Sequence, residues 1–159
     1  MRLAIYPGSF DPPTLGHLDL VERAARLFDR VVVAVGSNPS KKSFLSVEDR
    51  LEALSACTTG FGNVEVDRFD GLLVHYVRSR GARSVVRGLR ATSDFDFEFQ
   101  IAMANRQLAP EIETVFLMTN WEHSFLSSSV VREVATLGGD FSMFVHPAVA
   151  SIIARRLAI

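Results

Sequence analysis

The residues with the clearest chemical potential lie in one segment, Tyr6-Pro7-Gly8-Ser9-Phe10-Asp11-Pro12-Pro13-Thr14-Leu15-Gly16-His17. It leaves a short apolar run, Arg2 to Tyr6, which Pro7-Gly8 is expected to stop, and it enters an apolar-periodic stretch from Gly16 to Phe28. At such a strand-to-helix junction, free amides and the helix dipole favour a phosphate. Gly8 lets the backbone approach a ligand, and Ser9 offers a hydroxyl beside it. Thr14 and His17 are three residues apart, so on a first helical turn both side chains fall on one side. Taken alone, the pair reads as a cap and a surface residue; next to a phosphate, the imidazole is placed to donate to it. Neither a Walker A loop nor a GxGxxG fingerprint occurs, which disfavours P-loop and dinucleotide-binding readings.

Three further groups could meet phosphates. Lys41 sits in the loop Asn38-Pro39-Ser40-Lys41-Lys42, and Arg87 ends an apolar run at its carboxyl edge, where a solvated role is less natural. Ser127, Ser128 and Ser129 open a helix; one of them can be a plain N-cap, but three hydroxyls beside free amides suit phosphate oxygens. Glu98, Ala102 and Asn105 form one stripe at helical spacing, either an ordinary exposed face or a polar strip facing a nucleotide.

Elements must position these residues, and short apolar runs alternating with helical patterns supply them. Strands are expected at Arg2–Tyr6, Val31–Val35, Asn63–Val66, Ser84–Arg87 and Thr114–Met118. Helices are expected at Gly16–Phe28, from a capping signal at Ser46 to near Gly60, from Asp70 as cap through Arg80, at Phe95–Leu108, at Ser127–Leu137, and from Pro147 onward. This order predicts an α/β fold: a single domain over residues 1–159, an open parallel five-stranded sheet with right-handed crossovers and helices on both faces. Ligands of such sheets bind beyond the carboxyl ends of the strands. The Phe95–Leu108 helix carries two apolar stripes, Phe97, Ile101, Ala104, Leu108 and Phe95, Phe99, Met103, where a surface helix needs one. The terminal helix near Ile152 and Ile153, or another subunit, must cover the second.

Composition narrows the class. The 159 residues are 48% hydrophobic and 22% charged with net charge −1, so no global field attracts nucleic acid or an anionic membrane. Apolar runs are strand-sized, and no signal-peptide pattern opens the chain, so the expected site of action is the cytoplasm. Cys57 is the only cysteine, which excludes an intramolecular disulfide and a multi-cysteine metal site. His75 and His146 lack metal-ligand spacing with each other and read as structural, so no protein metal ligand is expected.

Pro-Gly-Ser-Phe-Asp-Pro followed by Thr14-Leu15-Gly16-His17 resembles the TxGH signature of the nucleotidyltransferase superfamily, a variant of HxGH. The resemblance continues through the lysine loop, through Arg87-Gly88-Leu89-Arg90 with Asp94-Phe95 and Glu98, and through Ser124-Phe125-Leu126-Ser127-Ser128-Ser129-Val130-Val131-Arg132-Glu133-Val134. Over nearly the whole chain it is similar to bacterial phosphopantetheine adenylyltransferases. That resemblance implies a Rossmann-like fold, a hexamer, and a magnesium-dependent transfer of AMP from ATP to 4′-phosphopantetheine. It implies ATP contacts for Ser9, Phe10, His17, Gly88, Leu89, Arg90, Glu98, His123, Ser124, Phe125, Leu126 and Ser127 to Ser129. It also implies acceptor contacts for Ser9, Lys41, Leu73 and Arg87, with Mg2+ held mainly by the ATP phosphates. Phe97, His123 and Arg132 stand where the family more often has tyrosine, another aromatic and lysine, and Ser9 where it has threonine. The rival readings are a nicotinate or nicotinamide mononucleotide adenylyltransferase, usually longer and with HxGH, and a non-catalytic nucleotide sensor on the same fold.

Overall fold

Alternation along the buried strands decides which helices each sheet face receives. In the computed structural model, which describes residues 1–37, 40 and 42–158 apart from the side chains of residues 92 and 93, the strands are β1 (Leu3–Gly8), β2 (Arg30–Ser37), β3 (Val64–Asp70), β4 (Ser84–Leu89) and β5 (Glu113–Met118). The helices are α1 (Leu15–Leu27), α2 (Val47–Thr58), α3 (Leu73–Ser79), α4 (Thr92–Leu108), α5 (Ser128–Thr136) and α6 (Pro147–Leu157). Ala4, Tyr6, Val31, Val33 and Val35 point to one face, against Leu20, Val21 and Ala24 of α1 and Leu54 of α2. Ile5, Val32, Ala34 and Val85 point to the other, against Val74 and Val77 of α3. A strand repeat of two makes this division unavoidable. A third apolar cluster ties α2 to α5 and α6 through Ala53, Val131, Ala135, Val149, Ile152 and Ile153.

All strand pairs are parallel, in the order β3-β2-β1-β4-β5. The chain winds outward from β1, then returns to β4 on β1's other side, so the winding reverses between β1 and β4. β1 and β2 stay in register from Leu3–Arg30 to Gly8–Val35, whereas β1 and β4 pair only at Ala4–Ser84 and Ile5–Val85. Beyond Ile5 the two strands part, and the crevice that opens between their carboxyl ends is where ligands of such sheets bind. The parting also explains why β1 runs on through Pro7 to Gly8 instead of stopping there. With one neighbour gone the strand is locally an edge, where proline's missing N–H is tolerated.

Two helix starts differ from the sequence-based expectation. Asp70 caps nothing: it closes β3, where its carboxylate accepts a hydrogen bond from the Ser37 hydroxyl, and α3 begins at Leu73 without a side-chain cap. Pairing of β3 with β2 as far as Ser37–Asp70 claims the residue first. α4 begins at Thr92, three residues ahead of Phe95, because the Asp94 carboxylate turns back to the Arg90 amide at 3.1 Å and closes an earlier turn.

Candidate active site

At the start of α1, Thr14 is the N-cap and His17 the third helical residue, and the two cap each other. The Thr14 hydroxyl accepts the His17 amide (3.4 Å), while His17 Nδ1 accepts the Thr14 amide (3.0 Å). An Nδ1 that accepts an N–H carries no proton, so the neutral ring holds its proton on Nε2. Burial, helped by the positive charges of Arg90 and Arg87, lowers the His17 pKa from 6.5 to about 4. At neutral pH the imidazole is therefore an uncharged Nε2–H donor whose tautomer is fixed by its own helix cap. The Phe10 ring, 1% exposed, packs edge-on against it with centroids 5.1 Å apart, and Phe10 adopts a φ of +47°.

Opposite α1, the end of β4 supplies two guanidinium groups, each already held. Arg87 binds Glu98 through two parallel bonds of 2.6 and 2.7 Å and reaches the Pro7 carbonyl of β1 at 3.2 Å. It thereby bridges the two parted strands. Arg90 binds Asp94 (3.0 and 3.3 Å) and the Leu126 carbonyl (3.3 Å). Planar two-point pairing holds each fork in place ahead of any ligand.

The third wall is the N-terminus of α5. Ser127 is its N-cap, accepting the Val130 amide at 3.2 Å. Ser128 donates to the Pro12 carbonyl (2.8 Å), and Ser129 accepts from Arg132, whose other nitrogen donates to the Asp11 carbonyl (2.6 Å). These bonds lay the α5 N-terminus against the loop after β1. The three walls enclose a cavity of about 420 Å³. A donor at a helix start, cations and free helix amides converging on one volume suit a polyphosphate.

Residues 5–134 match the cytidylyltransferase-like family model. The chain is 51% identical over 156 residues to the phosphopantetheine adenylyltransferase of Heliobacterium modesticaldum, covering 98% of this chain and 93% of that protein. It is 51% identical over 150 residues to that of Caldanaerobacter subterraneus subsp. tengcongensis, covering 94% of each. The chain belongs to the phosphopantetheine adenylyltransferase family. A solved structure from Vibrio parahaemolyticus, titled as a provisional nicotinate-nucleotide adenylyltransferase, superposes with a TM-score of 0.69 over 96% of this chain and 99% of that one. At 21% identity it establishes the shared fold.

In this member of the phosphopantetheine adenylyltransferase family, the residues expected at the site divide in two. Ser9, Phe10, Thr14, His17, Arg87, Gly88, Arg90, Glu98, Leu126 and Ser127 to Ser129 line the cavity. Leu89, His123, Ser124, Phe125 and Leu73 are not among its lining residues. Leu89 is buried in the sheet, and the Ser124 hydroxyl donates back to the Trp121 carbonyl at 2.8 Å. His123 lies beside the first turn of α1, its Cβ 3.5 Å from where a side chain on Gly16 would begin. Phe125 is exposed and packs edge-on to Phe144. Leu73 opens α3 and packs with the apolar cluster on that helix's side of the sheet. Lys41 lies outside the described residues.

Tyr6, Asp94, Phe97, Thr119 and Arg132 also line the cavity without having been assigned to it. Arg132 had a legible signal, because it stands one turn past Ser128 and Ser129 on the same helix. Thr119, just past β5, had none.

Proposed function

We propose that the chain transfers the adenylyl group of ATP to 4′-phosphopantetheine, giving 3′-dephospho-coenzyme A and pyrophosphate. The observation that carries the reading is the Thr14-fixed, uncharged Nε2–H of His17 in the wall of a cation-lined cavity, in a chain of this family. A phosphomonoester has its second pKa near ~6, so the acceptor is largely a dianion at neutral pH and needs no general base. One of its oxygens attacks the α-phosphorus, the bond from that phosphorus to the bridging oxygen breaks, and pyrophosphate leaves with the electron pair. No proton moves. The protein's part is alignment and stabilisation of charge on the α-phosphate, which His17 Nε2–H supplies.

In this scheme Arg87, with Lys41, Ser9 and Leu73, serves the acceptor. Arg90, Gly88, Leu89, Glu98 and the stretch His123 to Ser129 serve ATP. The cavity's carboxylates, Asp94 and Glu98, are paired with Arg90 and Arg87. In this scheme Mg2+ is carried by the ATP phosphates, where it would neutralise charge on the departing pyrophosphate.

We also propose a homo-oligomer, a hexamer by family, working in the cytoplasm. Among its described residues α4 buries no side chain fully, and Phe95, Phe97, Phe99, Met103 and Leu108 are each more than two-fifths exposed. Ile152 and Ile153 pack with α2 and α5, so α6 is not the cover of the second apolar stripe. A cover from another copy removes an apolar surface that water disfavours. No helix among the described residues is long and apolar enough to cross a membrane.

A panel assay tests the reaction. Pyrophosphate release from ATP is expected with 4′-phosphopantetheine, weakly with pantetheine, and not with nicotinate or nicotinamide mononucleotide. Release with a mononucleotide alone would reassign the acceptor, and none with any would favour a nucleotide sensor.

A further inference from the structure

Arg50, on α2, is 3% exposed, and no carboxylate pairs with it among the described residues. Its partners are backbone carbonyls. Nη1 donates to Ser9 at 2.8 Å and Gly36 at 3.4 Å, and Nε donates to Ser46 at 3.2 Å. Burying a cation without a counter-charge is unfavourable, and a neutral side chain would satisfy a carbonyl at less cost. What a guanidinium adds is a rigid fork that reaches several acceptors at once. Here the fork joins the carboxyl ends of β1 and β2 immediately before Phe10.

Phe10 is the residue that needs holding. A phenylalanine at φ +47° lies in the left-handed region that side chains disfavour, and such a conformation persists only where its surroundings over-determine it. On one side, Arg50 grips the Ser9 carbonyl. On the other, the Asp11 carboxylate, 8% exposed, accepts the amides of Phe44 (2.8 Å) and Leu45 (2.7 Å). Between these two ties the Phe10 ring goes beneath Gly8, where a Cβ would meet its Cζ at 2.9 Å, and edge-on against the His17 imidazole.

We infer that Arg50 is a positioning residue for His17: through the Ser9 carbonyl it fixes the left-handed turn at Phe10, and the Phe10 ring sets the plane of the imidazole. The inference rests on the adenylyl-transfer reading for its kinetics but not for its geometry. Arg50→Met, with fold checked by circular dichroism, is expected to lower kcat ~10–100-fold while leaving the KM for ATP within about two-fold, as a sub-ångström misplacement of a donor should. The imidazole 15N and 1H resonances of His17 in the ligand-free protein are expected to shift, since the ring beside it moves. Arg50→Lys, which keeps the charge and loses the fork, is expected to resemble Arg50→Met. Wild-type kcat with an unmoved His17 resonance in folded Arg50→Met, or full turnover in Arg50→Lys, would overturn the inference. Should neither variant fold, Phe10→Leu makes the same test: a fall in kcat alone supports the chain of contacts, and wild-type turnover refutes it. If the native enzyme turns over no acceptor, the functional reading fails by itself, and the His17 resonance still decides the geometry.

Discussion

A histidine whose Nδ1 is used up inside its own helix cap cannot serve as a proton shuttle at neutral pH; it can only donate. His17→Ala is therefore expected to keep the fold and cut kcat by at least ~100-fold, the scale for losing one preorganised donor. Steady-state pyrophosphate release by a variant with a native circular dichroism spectrum checks this. The pH dependence follows from the same ring. With His17 near 4 in the fold, its protonation adds no step to the rate profile at the ordinary histidine pKa of 6.5. The acid limb is expected to follow the acceptor phosphate near ~6 instead. For stability the sign runs one way: the unfolded chain takes up this proton as pH falls below 6.5, and the native state does not until about 4. The native state loses stability across that window. Urea midpoints at pH 7 and 4.5 should differ less in His17→Gln than in the parent. Arg87→Lys keeps a charge but loses the two-point fork now held by Glu98. It is expected to raise the KM for phosphorylated acceptor about tenfold or more, in line with the ~1.5–3 kcal/mol of a charged hydrogen bond. An unchanged KM would remove Arg87 from the acceptor site.

The elements hold these residues by close approach, and Gly88 on β4 shows how little room remains. A Cβ there would fall 2.3 Å from Leu20 Cδ1 on α1, and Leu20, 4% exposed, would have to shift towards the cavity it lines. Gly88→Ala is expected to destabilise the protein by ~1–3 kcal/mol through overpacking and to lower activity, because α1 carries His17. A thermal melt with an unchanged midpoint would show that the helix yields freely. The five strands, the α1 start and the α5 start were readable in the sequence because each rests on local information: β-branched runs, a Thr-to-His spacing, a serine triplet after a strand. Asp70 misled because an aspartate before a helical pattern looks like a cap, while the β2–β3 ladder that claims it joins residues 33 apart. Asp11 and Arg50 were silent for the same reason. The partners that place them at the site, Phe44, Leu45, Ser9 and Gly36, are distant in sequence, and a lone arginine on an amphipathic helix reads as solvated surface. The cavity's outline was legible from motif resemblance; the ties that hold its walls were not.

At the scale of the whole molecule, α4 is the feature an isolated copy leaves unexplained, with four-residue steps of phenylalanine and methionine facing water. Light scattering at micromolar concentration is expected to show a closed assembly several times the 17.6 kDa chain, and Phe99→Asp with Met103→Asp to dissociate it. A 17.6 kDa particle for the parent protein would defeat the assembly while leaving the chemistry standing. The walls of the site have another consequence, in time instead of space. The bonds that close the cavity join segments far apart in the sequence: Arg132 to Asp11, Ser128 to Pro12, and Arg156 of α6 to the Phe44 carbonyl. A ribosome delivers His17 early and Arg132 on the order of ten seconds later, with α6 after that. Through this interval all five strands and the histidine emerge before the α5 wall does, so the serine side of the phosphate cradle is the last part of the site to form. Activity is therefore expected to switch on only after α5 and α6 have emerged, and chains truncated ahead of α5 should be inert instead of partly active.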